Sequence, residues 1–296
     1  MGSRTPATTY SRWPEEILLQ EFALSQKGLG NLVHSEGLFD PAYPIVTVVI
    51  ASFNSVRTLD RTLQSIINQE YENIELIVVD GGSTDGTIKI LEEFDRHIKF
   101  WISEDDAGVY DAMNKGIKHG TGDWYYFLGA DDTLLDGFSR IVRKLCDTHT
   151  IYYGDVWMPK RGIRYDGEFS PFRLSIRNIC HQSIFYPSCI WNHRCFESKY
   201  AIMADYALNL VCFGDPDLKM KYVPETVAIF NDAVGLSQTT SDNAFEIEKL
   251  NIVRANFPLR TYWAAVVWHR CLEMLRRTGV YQQLWKVRMF CKRTFQ

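Results

Sequence analysis

Ile45-Val-Thr-Val-Val-Ile-Ala51 is an unbroken apolar, β-branched run, followed by Ser52-Phe53-Asn54. A run without polar alternation is what a strand buried on both faces of a parallel sheet requires. Ile74 to Val79 repeats the pattern and ends in Asp80-Gly81-Gly82. Between the two, Val56 to Asn68 carries Leu59, Leu63, Ile66 and Ile67 at helical spacing. Ser83-Thr84-Asp85 then offers a helix N-cap ahead of Ile88, Leu91 and Phe94. Lys99 to Ile102 reads as a third strand and Ala107 to His119 as a helix stopped by Gly120. Trp124 to Leu128 reads as a fourth strand, leading into Gly129-Ala130-Asp131-Asp132. Alternating strands and helices imply right-handed crossovers and an α/β fold with a parallel sheet. Ligands of such sheets bind beyond the carboxyl ends of the strands. Asn54, Asp80 and the Asp131-Asp132 pair all follow strand ends, so they converge on one edge.

Outward from this core the pattern loosens. Residues 1–43 read as an N-terminal helical extension, with Glu15 to Gln26 as a short amphipathic helix. The α/β domain spans 44–240, with a first half over 44–132 and a second over 133–240. In the second half, Tyr152-Tyr-Gly-Asp155 follows a short strand, His181-Gln-Ser-Ile-Phe185 lies on or beside another, and Tyr200 to Phe213 is helical. Residues 241–296 form basic amphipathic helices, helical from 246 with a break at Thr278-Gly279.

Composition narrows the class. A 296-residue chain that is 46% hydrophobic buries a sizeable core and is not disordered. The net charge of −4 is unevenly spread: from Arg254 onward nine arginines and lysines face a single acid, Glu273. That asymmetry suits an anionic partner or membrane surface. The seven cysteines include no CxxC pair, so neither a disulfide framework nor a zinc site is indicated, and a reducing cytoplasm is the expected setting. The N-terminus lacks the pattern of a secretory signal. The apolar run from Tyr262 to Trp268 is far shorter than the roughly 18 residues a spanning helix needs.

Four stretches occur in order: Val46-Thr-Val-Val-Ile-Ala-Ser-Phe-Asn54, Val78-Val-Asp-Gly-Gly-Ser-Thr-Asp-Gly-Thr87, Ser103-Glu-Asp-Asp-Ala-Gly-Val-Tyr-Asp-Ala-Met-Asn-Lys-Gly116 and Gly122-Asp-Trp-Tyr-Tyr-Phe-Leu-Gly-Ala-Asp-Asp132. Together they resemble the family 2 glycosyltransferases, above all those that build bacterial surface polysaccharides. The likeness covers roughly residues 45–235. It implies a GT-A fold, a Rossmann-like, mostly parallel sheet flanked by helices, here with a C-terminal helical extension. It also implies an inverting transfer of sugar from a nucleotide-sugar, usually a UDP-sugar, to a glycan or lipid-linked glycan hydroxyl.

The resemblance assigns roles to named positions. Ser52, Asn54 and Asp80 correspond to base-contacting positions, and Asp106, Asp111, Asn114 and Lys115 to the third motif, where Lys115 suits diphosphate charge. Ala130 and Asp132 flank Asp131, the expected ligand of a divalent cation, Mn²⁺ or Mg²⁺, which a hard carboxylate oxygen suits. The family usually has an acidic or amide residue where this chain has Gly129, which puts the metal geometry in question. Asp205, in Ile202-Met-Ala-Asp-Tyr206, matches the family's general base, with Asp155 as the alternative base. His181, beside Gln182, is a further metal-ligand or donor-phosphate position.

The tail interleaves Trp263, Trp268, Trp285 and Phe290 with arginines and lysines, and Trp263, Val266, Val267, Cys271 and Leu275 share a helical face. Basic amphipathic helices with tryptophan lie in membrane interfaces, so peripheral membrane contact is expected, with packing against a second subunit as the rival. No nucleic-acid motif occurs. A degenerate sugar-nucleotide binder and a nucleotidyltransferase are the competing functions. The second lacks a Gly-rich phosphate loop at Ala51-Ser-Phe-Asn-Ser-Val.

Overall fold

The computed structural model describes residues 44–165, 167–233 and 241–278. The helices expected within 1–43 and beyond 278 lie outside the described residues.

The first half builds as its sequence dictates. Strands β1 (Val46–Ser52), β2 (Ile74–Asp80), β3 (Phe100–Ser103) and β4 (Trp124–Gly129) alternate with helices α1 (Leu59–Ile67), α2 (Thr87–Glu93) and α3 (Val109–His119). β1 pairs in parallel with both β2 and β4, and β3 extends β2 in parallel. The register sets Ser52 beside Asp80 and Ala51 beside Gly129, so the loops after β1, β2 and β4 open on one edge.

The second half continues the same sheet. It adds β5 (Thr133–Leu134), α4 (Gly137–Val142), β6 (Thr150–Met158), β7 (Ile163–Tyr165), α5 (Pro171–Ile176), β8 (Ile184–Pro187), α6 (Ala204–Gly214) and β9 (Lys219–Ile229). The strand order is β3-β2-β1-β4-β8-β6-β9-β5, with β7 on β6. Parallel pairing ends at β4, where β8 runs antiparallel. Helices α7 (Asn243–Asn256) and α8 (Leu259–Arg277) follow.

Two differences from the sequence reading have clear causes. Tyr152 to Asp155 lies inside the long strand β6, which bulges against β9 between Tyr153 and Val156 and thus tolerates Gly154-Asp155. The C-terminal helix breaks at Phe257-Pro258, because proline cannot continue a helix and restricts the residue before it.

The core lies on both faces of the sheet. On one face Val46, Val48 and Ile50 pack with Leu59, Leu63 and Leu91; on the other Val49 packs with Met113, Phe127, Tyr186 and Leu210. Each buried aliphatic or aromatic side chain here contributes about 1.5–3 kcal/mol. Gly116 lets α3 close on β1, since a Cβ there would stand 2.4 Å from Val49 Cγ1.

Candidate active site

The rim after β1 and β2 is stapled by short polar side chains. Asn54 adopts a left-handed conformation at φ 48°, tolerated by asparagine. Its backbone N–H donates to Ser83 Oγ at 2.7 Å, and its Oδ1 accepts from Thr84 N–H at 3.0 Å. Asp85 accepts from Val56 N–H and from both N–H and hydroxyl of Thr87. Asp80 is fully buried. Its carboxylate accepts from Ser83 N–H at 2.8 Å, Ser83 hydroxyl at 2.6 Å and Ser103 hydroxyl at 2.7 Å. Ser52 Oγ is buried beside it with no hydrogen-bond partner among the described residues. Asp106 accepts from Gly108 N–H and lies against Gly81.

The third motif divides. Asp111 accepts from Ala107 N–H, and Lys115 is ion-paired to Glu104 at 2.8 Å and to Asp111 at 3.4 Å. Asn114 clamps the backbone of Phe196 by donating to its carbonyl and accepting from its N–H. Lys115 and Asn114, expected at the donor phosphates, thus spend their groups on holding the α3 region to its neighbours.

After β4, the chain turns Asp132 inward. Its Oδ2 accepts from Gly129 N–H at 3.1 Å and Gln182 Nε2 at 2.8 Å, and its Oδ1 accepts from Asn231 N–H at 2.8 Å. Burial, and then the charge of Asp131, push its carboxyl up to about 6. The expected donor contact at Asp132 is therefore replaced by closure of the loop. Thr62 Oγ1 lies 2.7 Å from the Asp132 carbonyl oxygen and 3.1 Å from that of Ala130. Asp131 is half-buried in this turn. Its Oδ2 accepts from Asn231 Nδ2 at 2.9 Å, its carbonyl accepts from Arg61, and burial raises its carboxyl above the ordinary range. Gly129 is explained by the same turn: a Cβ there would stand 2.6 Å from Asp132 Oδ2 and 3.1 Å from Asp131 Oδ1.

A second carboxylate centre forms around the start of α6. Asp205 is 5% exposed; its Oδ1 accepts from the Tyr110 hydroxyl at 2.7 Å and its Oδ2 from Asn178 Nδ2 at 2.8 Å. His181 Nδ1 lies 3.6 Å from Asp205 Oδ2. Burial and the neighbouring Asp205 charge push the Tyr110 hydroxyl far above its usual range, so it stays protonated and donates. Behind Asn178, Asn209 donates to it and accepts from Tyr186. The short segment 178–182 joins the two centres, because Asn178 and His181 meet Asp205 while Gln182 meets Asp132.

Asp155 stands apart. It is fully buried, accepts from Gly167 N–H at 2.6 Å and the Tyr222 hydroxyl at 2.7 Å, and lies 3.4 Å from Arg164 Nε. These partners share nothing with Asp131 or Asp205, so the alternative base is a structural knot of β6 and β9.

The sequence reading assigned nothing to Arg61, Tyr110, Asn178 or Asn231. Tyr110 sat inside a quoted motif; Asn178 and Asn231 carry no local signal, since their partners are 27 and 100 residues away. Among the described residues, no three His, Cys, Asp or Glu side chains cluster as a metal cage.

A parallel α/β half with Asp80 and Asp131 at its strand ends, continued by an antiparallel half in the same sheet, is the GT-A arrangement. Residues 47–207 match the model of Glycosyl transferase family 2, and the chain belongs to that family. It is 38% identical over 213 residues to the PGL/p-HBAD biosynthesis glycosyltransferase of Mycobacterium bovis, covering 69% of this chain and 83% of that one. A protein of the same description from Mycobacterium tuberculosis matches equally. Among solved structures, S. aureus TarS 1–349 in complex with UDP-GlcNAc superposes with a TM-score of 0.57 at 15% identity, covering 71% of this chain and 66% of that one. The chain spans only 42% of a longer TarS structure. The mannosyltransferase PcManGT from Pyrobaculum calidifontis, in complex with GDP-Man and Mn²⁺, gives 0.53 at 17% identity, covering 90% and 88%. At these identities the structural likenesses show the fold.

Proposed function

We propose that this family 2 glycosyltransferase moves a sugar from a UDP-sugar, with inversion, to a hydroxyl of a glycan or lipid-linked glycan in surface polysaccharide synthesis. The observation that supports the reading is the 178–182 segment, which bonds to Asp132 through Gln182 and meets Asp205 through Asn178 and His181.

Asp205 is the base. Tyr110 and Asn178 each occupy one lone pair of its carboxylate, and a carboxylate has about four such sites, so room remains for an acceptor hydroxyl. That hydroxyl gives its proton to Asp205 as its oxygen bonds to the anomeric carbon. The bond from that carbon to the diphosphate oxygen breaks, and its electron pair leaves with the nucleoside diphosphate. Two fixed donors keep the carboxylate oriented for this step. Ser52 and the Ser83-Ser103-Asp80 network support a base-binding rim, with Ser52 Oγ awaiting a partner.

The residues also fit a divalent cation. Asp131 has one oxygen tied to Asn231, no other described side chain bonds the second, and that carboxylate would hold the cation. Such a cation supplies Lewis-acid neutralisation of the leaving diphosphate. Gly129 fits this active reading, because the space a side chain would take is filled by the two aspartates.

The helix α8 supports peripheral membrane contact on a cytoplasmic face. Leu259, Trp263, Val267 and Met274 are exposed along it, Arg260 and Arg270 accompany them, and Phe172 closes an apolar groove of about 550 Å³ with Trp263, Val267 and Trp268. The described cysteines are all free, as a reducing compartment requires. No described helix is long and apolar enough to cross a membrane.

The reading is tested by nucleoside diphosphate release from UDP-, GDP- and dTDP-sugars, with Mn²⁺ or EDTA. Metal-dependent release from one donor, lost in Asp131→Ala, establishes it. Failure of every sugar nucleotide to bind, with or without metal, overturns it.

A further inference from the structure

We propose that Asn231 is a positioning residue of the donor site, fixing which oxygen of Asp131 is presented to the cation that accompanies the diphosphate. The inference rests on the reading of Asp131 given above.

The sheet brings the two residues together. β5 and β9 run antiparallel with Thr133 opposite Ile229 and Leu134 opposite Ala228. Continuing that register two steps past each strand sets Asp131 opposite Asn231. Asn231 then works with three groups. Its N–H donates to Asp132 Oδ1 at 2.8 Å, its Nδ2 donates to Asp131 Oδ2 at 2.9 Å, and its Oδ1 accepts from Ala233 N–H at 3.2 Å. The last contact orients the amide, because a flipped side chain would set its NH₂ against another donor. The next residue, Asp232, is buried and accepts from the N–H groups of Lys160 at 2.8 Å and Arg161 at 3.1 Å, which pins the backbone on the far side. The amide is therefore held at both ends.

The consequence for Asp131 follows from carboxylate chemistry. Oδ2 is engaged by a neutral donor that adds no charge of its own. Oδ1 receives no hydrogen bond from another described side chain, and it would hold a hard cation. A carboxylate at 231 would add a third negative charge beside Asp131 and Asp132. An aliphatic residue would leave Asp131 free to rotate. Asparagine meets both requirements, which is a reason for the side chain beyond holding the loop closed.

The test is electron paramagnetic resonance of Mn²⁺ titrated into the protein with UDP, and separately with GDP, where bound Mn²⁺ loses its sharp aqueous signal. Asn231→Ala and Asn231→Ser are compared with wild type and with Asp131→Ala. Both Asn231 variants keep the backbone N–H to Asp132, so both retain the turn. Glu75→Gln, altered at the opposite end of β2, serves as a destabilised control. The expected result is a rise of about ten- to a hundredfold in the apparent Kd for Mn²⁺ in the Asn231 variants, and an unchanged value in Glu75→Gln. Nucleotide-dependent Mn²⁺ binding in both Asn231 variants at wild-type strength, with binding lost in Asp131→Ala, overturns the role of Asn231 alone. Loss of Mn²⁺ affinity to the same degree in Glu75→Gln reduces Asn231 to a stability effect and also overturns it. Mn²⁺ binding indifferent to Asp131→Ala overturns the reading of Asp131 and this inference with it.

Discussion

The Tyr110 hydroxyl donates to Asp205 Oδ1 across 2.7 Å, although ninety-five positions separate the two residues in sequence. The bond joins the first turn of α3 to the start of α6, so the carboxylate proposed as base is aligned by the same helix that packs on β1. Asp205→Asn should lower kcat by about 10²- to 10⁴-fold while leaving binding of the sugar nucleotide intact, measured by steady-state kinetics beside calorimetry. Tyr110→Phe should lower kcat less. Equal kcat in Asp205→Asn and wild type would reassign the base.

Asp155→Asn separates the two base candidates from the other side. Its carboxylate is fully buried and serves Gly167 and Tyr222, not the cleft. The variant should lose about 1–3 kcal/mol of stability in a urea melt, with kcat per folded molecule close to wild type. A large kcat loss at unchanged stability would return Asp155 to the reaction.

Gly129→Asp restores the acidic residue that the family resemblance places there, and the structure says it should harm. Its Cβ would meet Asp132 Oδ2 at 2.6 Å, and Asp132 cannot yield because three protein groups hold it. We expect a cost of about 1–3 kcal/mol and weaker donor binding rather than tighter. Tighter Mn²⁺-dependent binding in Gly129→Asp would show that the turn has room to rearrange.

Glu75 gives a pH signature away from the cleft. Burial alone would raise its carboxyl, but hydrogen bonds from Lys99, Thr121 and Thr47 outweigh burial and hold it below the ordinary value of 4.5. A depressed carboxyl stabilises the fold above its unfolded pKa, and the contribution disappears as pH falls through the folded pKa. Glu75→Gln should therefore melt below wild type at pH 7 by about 1–3 kcal/mol, with the gap closing as the pH falls well below 4.5. A gap of constant size across that range would mean the network is not ionic.

The exposed face of α8 makes a binding prediction. Trp263→Glu with Val267→Glu should abolish co-sedimentation with anionic vesicles of phosphatidylglycerol and leave activity on a water-soluble acceptor unchanged. A wild type that sediments with no vesicle but runs as a dimer would assign the face to a second subunit.

Much of the architecture was legible because the evidence for it is local. The runs at Val46 and Ile74 could only be buried parallel strands, and the helices between them declare themselves by spacing. The strand ends then fixed the loops of Asn54, Asp80 and Asp131 on one edge. The motif likeness pointed to the family that the comparisons establish. The boundaries slipped by a few residues where caps are weak: α1 begins at Leu59 rather than Val56, and no side chain caps it.

Within the site, sequence identified which residues stand at the edge but not what each one does there. Lys115 and Asp132 have the right chemistry for nucleotide-sugar contacts, yet in this structure neighbours engage both: Glu104 and Asp111 hold the first, while Gly129, Gln182 and Asn231 hold the second. The sequence by itself determined the class of fold, the order of its strands' loops and the carboxylates available to them, because hydrophobic periodicity and strand-end placement are properties of short segments. Only the tertiary structure decided which hydrogen bonds each carboxylate takes, because those depend on donors such as Asn178 and Asn231. These arrive from distant strands and turns through the antiparallel half of the sheet, and a polar side chain points wherever its hydrogen bonds can be satisfied.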